Sequence, residues 1–425
     1  MAGNGGYRVR RLGEGTFPSP VEGTYFVGED TGVLVDATIE GCRNCKGVQP
    51  PYLEEAGPRR RLHFDPPRTG VAIVTCGGLC PGLNDVVRAL TMVLWHRYGV
   101  RRVLGLRYGY EGLVSAFGHP PMILTPDEVA DIHQQGGTIL GSSRGPQDVR
   151  IMTDYLVANG IQVLFTIGGD GTQRGSLDIA QEIERRGLDI AVVGIPKTID
   201  NDILMTDRTF GFETAVAMSR GPIAAAHMEA KGVRNGVGLV RLMGRESGFV
   251  AAYASLASSD VNLVLIPEVP FRLDPVLQWL EHRLERKSHA VIVVAEGAGQ
   301  ELVLESGKDA SGNRNLGDIG LFMRAAIRSH FAKAEKTANV RYIDPSYTIR
   351  SATASADDSV FCFRLAENAV HAAMAGRTGM VVGLWNGRFV NVPIEQAVAT
   401  RKKVDPGGSF WQSVLNNTGQ PAVLA

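Results

Sequence analysis

No apolar run among the 425 residues approaches the roughly 20 that a helix needs to cross a bilayer. Net charge is missing as well, because 44 Lys and Arg balance 44 Asp and Glu. Without a global field the chain has no general attraction for nucleic acid or membrane, so an anionic ligand has to be gripped locally. Cysteine is scarce: Cys42, Cys45, Cys76, Cys80 and Cys362. An odd, small number in a long chain fits a reducing compartment and argues against a disulfide scaffold. GCRNCKG (41–47) holds one C-x-x-C but no second pair for a structural zinc site, and it follows no strand of a βαβ unit as a redox motif would. A loop or turn is expected there. The opening MAGNGGYRVRRLGEG is basic but has no apolar stretch after it, so no secretory signal and a cytoplasmic location are expected. Internal repeats, low-complexity tracts, a G-x-x-x-x-G-K-[ST] loop and a G-x-G-x-x-G turn are all absent.

Apolar residues are plentiful at 44%, enough to bury a large core, and the length allows two or three domains at roughly 100–200 residues each. Residues 1–68 are rich in Gly, Pro and Arg with weak periodicity, and read as an N-terminal extension. From residue 70 apolar strands recur as VAIVTC (71–76), VLFTI (163–167), IAVVGI (190–195), VGLVRL (237–242), VNLVLI (261–266), AVIVVA (290–295) and MVVGLW (380–385). Helical stretches such as DVVRALTMVLWHRYG (85–99) and DPVLQWLEHRLERK (274–287) lie between them. Continuous apolar strands alternating with helices imply mainly parallel sheets covered on both faces. The expected fold is α/β: two Rossmann-like three-layer α/β/α domains with a site in the cleft between them. The expected first domain is 69–210 joined by 349–378. The second is 211–348 joined by 379–400, and 401–425 forms a tail.

In open α/β sheets ligands bind beyond the carboxyl ends of strands. Here those ends run into GGLCPGLND, GGDGTQRGS, PKTIDND, MGRESG and EGAGQ. Glycines let backbone N–H groups approach phosphate oxygens, and a following helix N-terminus adds partial positive charge. A glycine pair alone is more simply a tight strand–helix turn. Asp170 shifts that balance, since a carboxylate in a phosphate cradle makes sense when Mg²⁺ stands between the two; Mg²⁺ takes one or two carboxylates, phosphate oxygens and waters. Thr172 can hydrogen-bond the same phosphates.

PKTIDND packs Lys197, Thr198, Asp200, Asn201 and Asp202 behind a core strand. Phosphoryl transfer needs an acceptor hydroxyl, a base and positive charge around the moving group. Asp200 suits the base, Thr198 a contact to the phosphoryl group, Lys197 charge neutralisation, and Asp202 orientation of the loop. An Asx-turn cluster capping the next helix would explain Asp200 and Asn201 but not the rest. Arg144, in GTILGSSRG (137–145), could bridge donor phosphates, and Arg245, after Met243–Gly244, could hold transition-state charge. Arg341 and Arg350 bracket YIDPSYTIR with Tyr347 between them. The planar fork of arginine suits phosphate, although a lone surface arginine is usually only solvated. Glu296 is an isolated acid after an apolar strand, and a buried acid needs partners such as sugar hydroxyls.

Taken in order, GGLCPGLND, GYEGL, GGTILGSSRG, IGGDGTQRGS, PKTIDND, TFGFETA, MGRESG, AEGAG and YIDPSYTIRSATASADD resemble the blocks of the 6-phosphofructokinase family across about residues 54–400. The long N-terminal region resembles its longer, ATP-using branch. The resemblance implies a glycolytic kinase making fructose 1,6-bisphosphate from fructose 6-phosphate and MgATP. It implies nucleotide binding by Gly78, Arg144, Gly169, Asp170, Gly171 and Thr172, Mg²⁺ on Asp170, and Asp200 as base to the sugar 1-hydroxyl, making 69–210 the donor domain. Thr198, Ile199, Met243, Gly244, Arg245, Glu296, Arg341, Tyr347 and Arg350 would line the sugar phosphate, mostly in the second domain. A homotetramer or homodimer with allosteric control is implied too.

Pyrophosphate users resemble GGDD where this chain has Gly168–Gly169–Asp170–Gly171, and glycine leaves room for the α-phosphate of ATP. Lys197 stands where pyrophosphate users have lysine, and Gly171 with Lys197 is the combination of the longer ATP-using branch. Short bacterial members carry a neighbouring-subunit arginine before MGR; Gly236 occupies the matching place here. Competing readings are a pyrophosphate-dependent phosphofructokinase, a lipid or NAD kinase sharing GGDGT, and a non-catalytic sugar-phosphate-binding subunit.

Overall fold

The structure, a computed structural model, describes residues 7–23, 25–44, 49–303, 307 and 315–424. It divides into two compact α/β units. The first comprises 1–198, 203–211 and 351–400, the second 199–202, 212–350 and 401–425.

The first unit is built on a nine-stranded sheet. Its centre is parallel: Arg102–Leu106, Gly70–Thr75, Val163–Gly168, Ala191–Pro196 and Met380–Trp385 lie side by side in that order. Every residue of Gly70–Thr75, Val163–Gly168 and Ala191–Pro196 is buried, as β-branched strands covered on both faces require. Each fully buried Val, Ile or Leu side chain contributes about 1.5–3 kcal/mol of transfer free energy. Helices Val149–Ala158 and Asp170–Arg185 supply Met152, Leu156, Ile179 and Ile183 to the layer beside Ala72, Val74 and Leu164. The strand order reverses between Gly70–Thr75 and Val163–Gly168, which makes their carboxyl ends the switch point where α/β sheets bind ligands.

The second unit holds a four-stranded parallel sheet in the order Leu263–Leu265, His289–Ala295, Gly236–Leu242, Asn339–Ile343. MGRESG, EGAG and DPSYTIR therefore emerge from the carboxyl ends of three adjacent strands. Among the described residues no helix is long and apolar enough to cross a membrane.

Three expected boundaries move, and residues 199–202, expected in the first domain, fall in the second unit. Residues 379–400, expected in the second domain, belong to the first, because Met380–Trp385 pairs parallel with Ala191–Pro196 and carries Arg388–Pro393 antiparallel beside it. The N-terminal region is not a separate extension: Tyr52–Glu55 pairs with Arg388–Pro393, and Gly32–Leu34 with Tyr52–Glu55. Glu54 locks this corner by accepting from Arg59 at 3.0 Å, Arg377 at 2.9 Å and Asn391 at 3.2 Å. Burial opposes its charge, yet Arg377, Arg59 and Arg11 hold its carboxyl below the usual range. The tail 401–425 is part of the second unit, where helix Ser409–Thr418 buries Trp411 and Gln420 accepts from the Val264 backbone N–H at 2.7 Å. Cys42 falls in the short helix Ile39–Asn44 rather than a loop, and Cys45, the other half of C-x-x-C, lies outside the described residues.

Candidate active site

At the first unit's switch point, three of the sequence's loops touch. Gly77 is left-handed at φ +83, its N–H donates to Ser143 O at 3.0 Å, and the Ser142 hydroxyl donates to Gly77 O at 2.6 Å. This ties the GGLCPG loop to the loop carrying Arg144, whose side chain is exposed. Lys197 bridges to the second glycine loop. Its N–H donates to Gly168 O at 3.0 Å, and its buried ammonium reaches Gly78 O at 2.5 Å. Lys197 therefore ties the two glycine loops together, its backbone on one and its ammonium on the other.

Helix Asp170–Arg185 starts directly from that loop, with Gly169 as its extended N-cap. Gly168 is required by contact, since a Cβ there would stand 2.2 Å from the Thr172 hydroxyl. Gly171 is the opposite case: a Cβ would meet nothing within 4 Å. Asp170, in the first turn, pairs with Arg174 one turn on at 3.1 Å, and Arg174 also donates to Val398 O at 2.6 Å. Sequence reading missed Arg174; its i,i+4 spacing from Asp170 was the available signal. Among the described residues there is no group of three or more His, Cys, Asp or Glu that could cage a metal. One half-buried carboxylate beside an open glycine fits an ion that takes most of its ligands from phosphate and water.

The PKTIDND stretch does not cap a helix. The next helix, Phe212–Lys231, begins ten residues after Asp202. Asn201 takes φ +54, a left-handed conformation that asparagine tolerates. Thr198 O accepts from the Thr209 hydroxyl at 2.6 Å within the first unit. Ile199, Asp200, Asn201 and Asp202 belong to the second unit.

There Asp202 is buried and bonded to Arg401 at 2.8 Å, and its carbonyl accepts from the Lys402 N–H at 2.9 Å. Arg401 was assigned to the tail by sequence; no local pattern links it to a loop 199 residues upstream. Asp200 receives the Arg245 backbone N–H, which brings the MGR turn onto it. Burial, then Asp202, then Glu296 push the Asp200 carboxyl well above the usual carboxylate range, against the pull of Arg401. Asp202 is thus a fixed partner of Arg401.

Glu296 does have a protein partner: Arg241 at 3.0 Å, which also holds Asp344 at 2.5 Å. Burial raises the Glu296 carboxyl, while Arg241, Arg245 and Arg350 counter. Gly244 sits at φ +130 beside Met243, and Gly297 N–H donates to Gly244 O at 2.9 Å. A Cβ on Gly297 would stand 1.7 Å from Arg245 O, so only glycine lets the EGAG and MGR turns lie together. Gly297→Ala is expected to displace Arg245, cost about 1–3 kcal/mol as overpacking does, and lower kcat more than stability alone explains; thermal denaturation and steady-state kinetics on one preparation check it. Arg350 stacks on the exposed Tyr347 ring at 4.6 Å. Arg341 stands apart, paired with Glu229 at 3.3 Å. Gly236 has no room for a side chain, since a Cβ would lie 2.0 Å from Ala230 O. An arginine, like any other side chain, therefore has no place there.

A family model described as phosphofructokinase matches residues 70–373. The ATP-dependent 6-phosphofructokinase of Amycolatopsis methanolica is 49% identical over 436 residues, covering 98% of this chain and 95% of the relative. That of Borreliella burgdorferi is 51% identical over 380 residues, covering 87% and 85%. The solved pyrophosphate-dependent phosphofructokinase of Marinobacter aquaeolei shares the fold at a TM-score of 0.69 and 18% identity, over 82% of this chain and 91% of that one. Saccharomyces cerevisiae phosphofructokinase gives 0.64 and 22%, over 82% and 47%. With the glycine loops, the MGR and EGAG turns and a family match over most of its length, the chain belongs to the phosphofructokinase family.

Proposed function

We propose that this chain is an ATP-dependent 6-phosphofructokinase that moves the γ-phosphoryl group of MgATP to the 1-hydroxyl of fructose 6-phosphate. The observation that carries the donor assignment is the open space at Gly171, where an aspartate would crowd and repel an α-phosphate. Relatives about half identical to it and named as ATP-dependent support the same reading.

In this reading Gly78, Arg144, Gly169, Gly171 and Thr172 hold the nucleotide, and Lys197 neutralises phosphate charge. Asp170 would hold Mg²⁺, which when bound offsets charge on the phosphate oxygens. Asp200 takes the proton from the sugar 1-hydroxyl as that oxygen bonds to the γ-phosphorus. The bond from phosphorus to the β–γ bridging oxygen breaks, and its electron pair leaves with ADP. Arg245 and Thr198 stabilise the moving phosphoryl group. Ile199, Met243 and Gly244 shape the sugar's surroundings, Glu296 accepts from its hydroxyls, and Tyr347 and Arg350 receive the 6-phosphate. Arg341 can join them by giving up its exposed pair with Glu229, a contact worth at most about 1 kcal/mol. The chain works as a homotetramer or homodimer in the cytoplasm.

The deciding experiment supplies purified protein with fructose 6-phosphate, Mg²⁺ and either ATP or pyrophosphate. Turnover is expected with ATP and not with pyrophosphate, and chelation should abolish it. Turnover with pyrophosphate alone would overturn the donor assignment and favour the reading that Lys197 suggests. Phosphorylation of NAD or diacylglycerol with fructose 6-phosphate inert would overturn the acceptor.

A further inference from the structure

A cavity of about 480 Å³ lies in the first unit, lined by none of the loops described above. That volume is in the range of small-ligand pockets. One wall is a single face of helix Ala356–Met374, where Arg364, Glu367, Asn368 and His371 follow one another at i, i+3, i+4 and i+7. Arg97 enters from the turn Leu94–Tyr98, and Arg388 from the start of its strand. Three arginines, each exposed, thus line it from three separate elements.

Their pairing is uneven. Arg388 is held by Glu55 at 2.7 Å. Arg364 lies over the Phe389 ring at 4.7 Å, which fixes its plane without consuming its donors. Neither Arg97 nor Arg364 forms a salt bridge among the described residues. Glu367 faces both; burial raises its carboxyl, and Arg97 and Arg364 counter. Glu22 stands exposed at the rim. His371 is already committed to the Tyr98 hydroxyl at 2.8 Å, and burial lowers it to about 4, so it is neutral.

We propose that this cavity is a second ligand site that takes a phosphate monoester, with the phosphate between Arg97 and Arg364 and the organic part against Tyr25, Ala56 and Pro58. A monoester carries about −1.5 to −2 charge near neutral pH, which two guanidinium forks match better than one carboxylate would. The same helix reaches the catalytic loops: Asp358 accepts from Gly211 N–H at 3.0 Å, and Cys362 leaves no room for a Cβ on Gly82. The proposal is independent of which donor the enzyme uses.

The test is calorimetric titration of the full chain, using inorganic phosphate, ribose 5-phosphate and adenosine 5′-monophosphate as probes. This series adds a sugar and then a base to the phosphate and so separates the sources. At least one should bind, and the Arg97→Gln/Arg364→Gln variant should weaken it roughly tenfold or more, as loss of charged hydrogen bonds does. Basal turnover and thermal stability should stay unchanged, and Arg364→Lys should lose less affinity than Arg364→Gln. An Arg350→Ala variant should keep the binding. Three silent probes at millimolar concentration, affinity indifferent to the Arg97 and Arg364 changes, or equal loss in Arg350→Ala would each overturn the proposal.

Discussion

Asp200→Asn is expected to lower kcat by about 10²–10⁴-fold, the usual contribution of a positioned base, while leaving ATP binding near its original strength. The amide keeps the size of the carboxylate and can still meet the Arg245 N–H through its oxygen. What it loses is the ability to take the sugar's proton. Asp202 cannot substitute, because Arg401 holds it at 2.8 Å. The environment of Asp200 adds two readouts that a merely structural residue would not give. Its pKa is raised, so kcat/KM should climb with pH through a limb above the ordinary carboxylate range, and the variant should lack that limb. Stability should move the other way. Above the unfolded value near 3.8 the folded protein retains a proton that the unfolded chain has released, so this group's contribution falls as pH rises toward the folded pKa. At neutral pH the carboxylate is a net cost, and Asp200→Asn should melt at a higher temperature than the parent. Well below pH 3.8 that gain should vanish. Unchanged turnover would remove Asp200 from the reaction; reduced turnover without the lost pH limb would make it a positioning residue.

Gly171→Asp is the second large effect. A side chain there meets nothing within 4 Å, and its φ is not in the left-handed region. The first turn of a helix also favours a carboxylate. The variant should therefore fold as well as the parent or slightly better. Turnover with ATP should nonetheless collapse, because the new acid would stand against the α-phosphate. Two unit charges at about 4 Å interact by roughly 4 kcal/mol at an effective dielectric of 20, so a loss of about 10²–10³-fold in kcat/KM for ATP is expected. Fructose 6-phosphate binding should persist. A variant that still uses ATP at the parent rate would show that the nucleotide lies elsewhere.

These effects rest on parts of the molecule that were unevenly visible in the sequence. Met380–Trp385 matches its apolar run residue for residue, and the strands at 70–75, 163–168 and 191–196 lie within a residue of theirs. Buried parallel strands announce themselves because little beyond an occasional threonine interrupts their apolar run. Arg102–Leu106 and Asn339–Ile343 were missed, since arginine, asparagine and tyrosine dilute the apolar signal. Gly32–Leu34 and Tyr52–Glu55 were hidden more deeply. The acids of YLEE look like surface residues until Arg59 and Arg377 are seen to hold Glu54, and Arg388 Glu55, the last two arginines over 300 positions away. In the candidate site the glycine, aspartate and MGR motifs were legible because each is local. Arg401 beside Asp202, and Arg241 between Glu296 and Asp344, were not, because those pairs exist only after the chain has folded back on itself.

That folding back has a cost during synthesis. Gly32–Leu34 and Tyr52–Glu55 reach the large sheet only through Arg388–Pro393 and Met380–Trp385. Until residues 380–393 have been made, the hairpin of Gly32–Leu34 and Tyr52–Glu55 has no place on the large sheet, and the flank of Ala191–Pro196 presents an unpaired, apolar edge. Nascent chains of this protein are thus natural clients for chaperones, and fragments ending before residue 380 should aggregate rather than leave a smaller working enzyme.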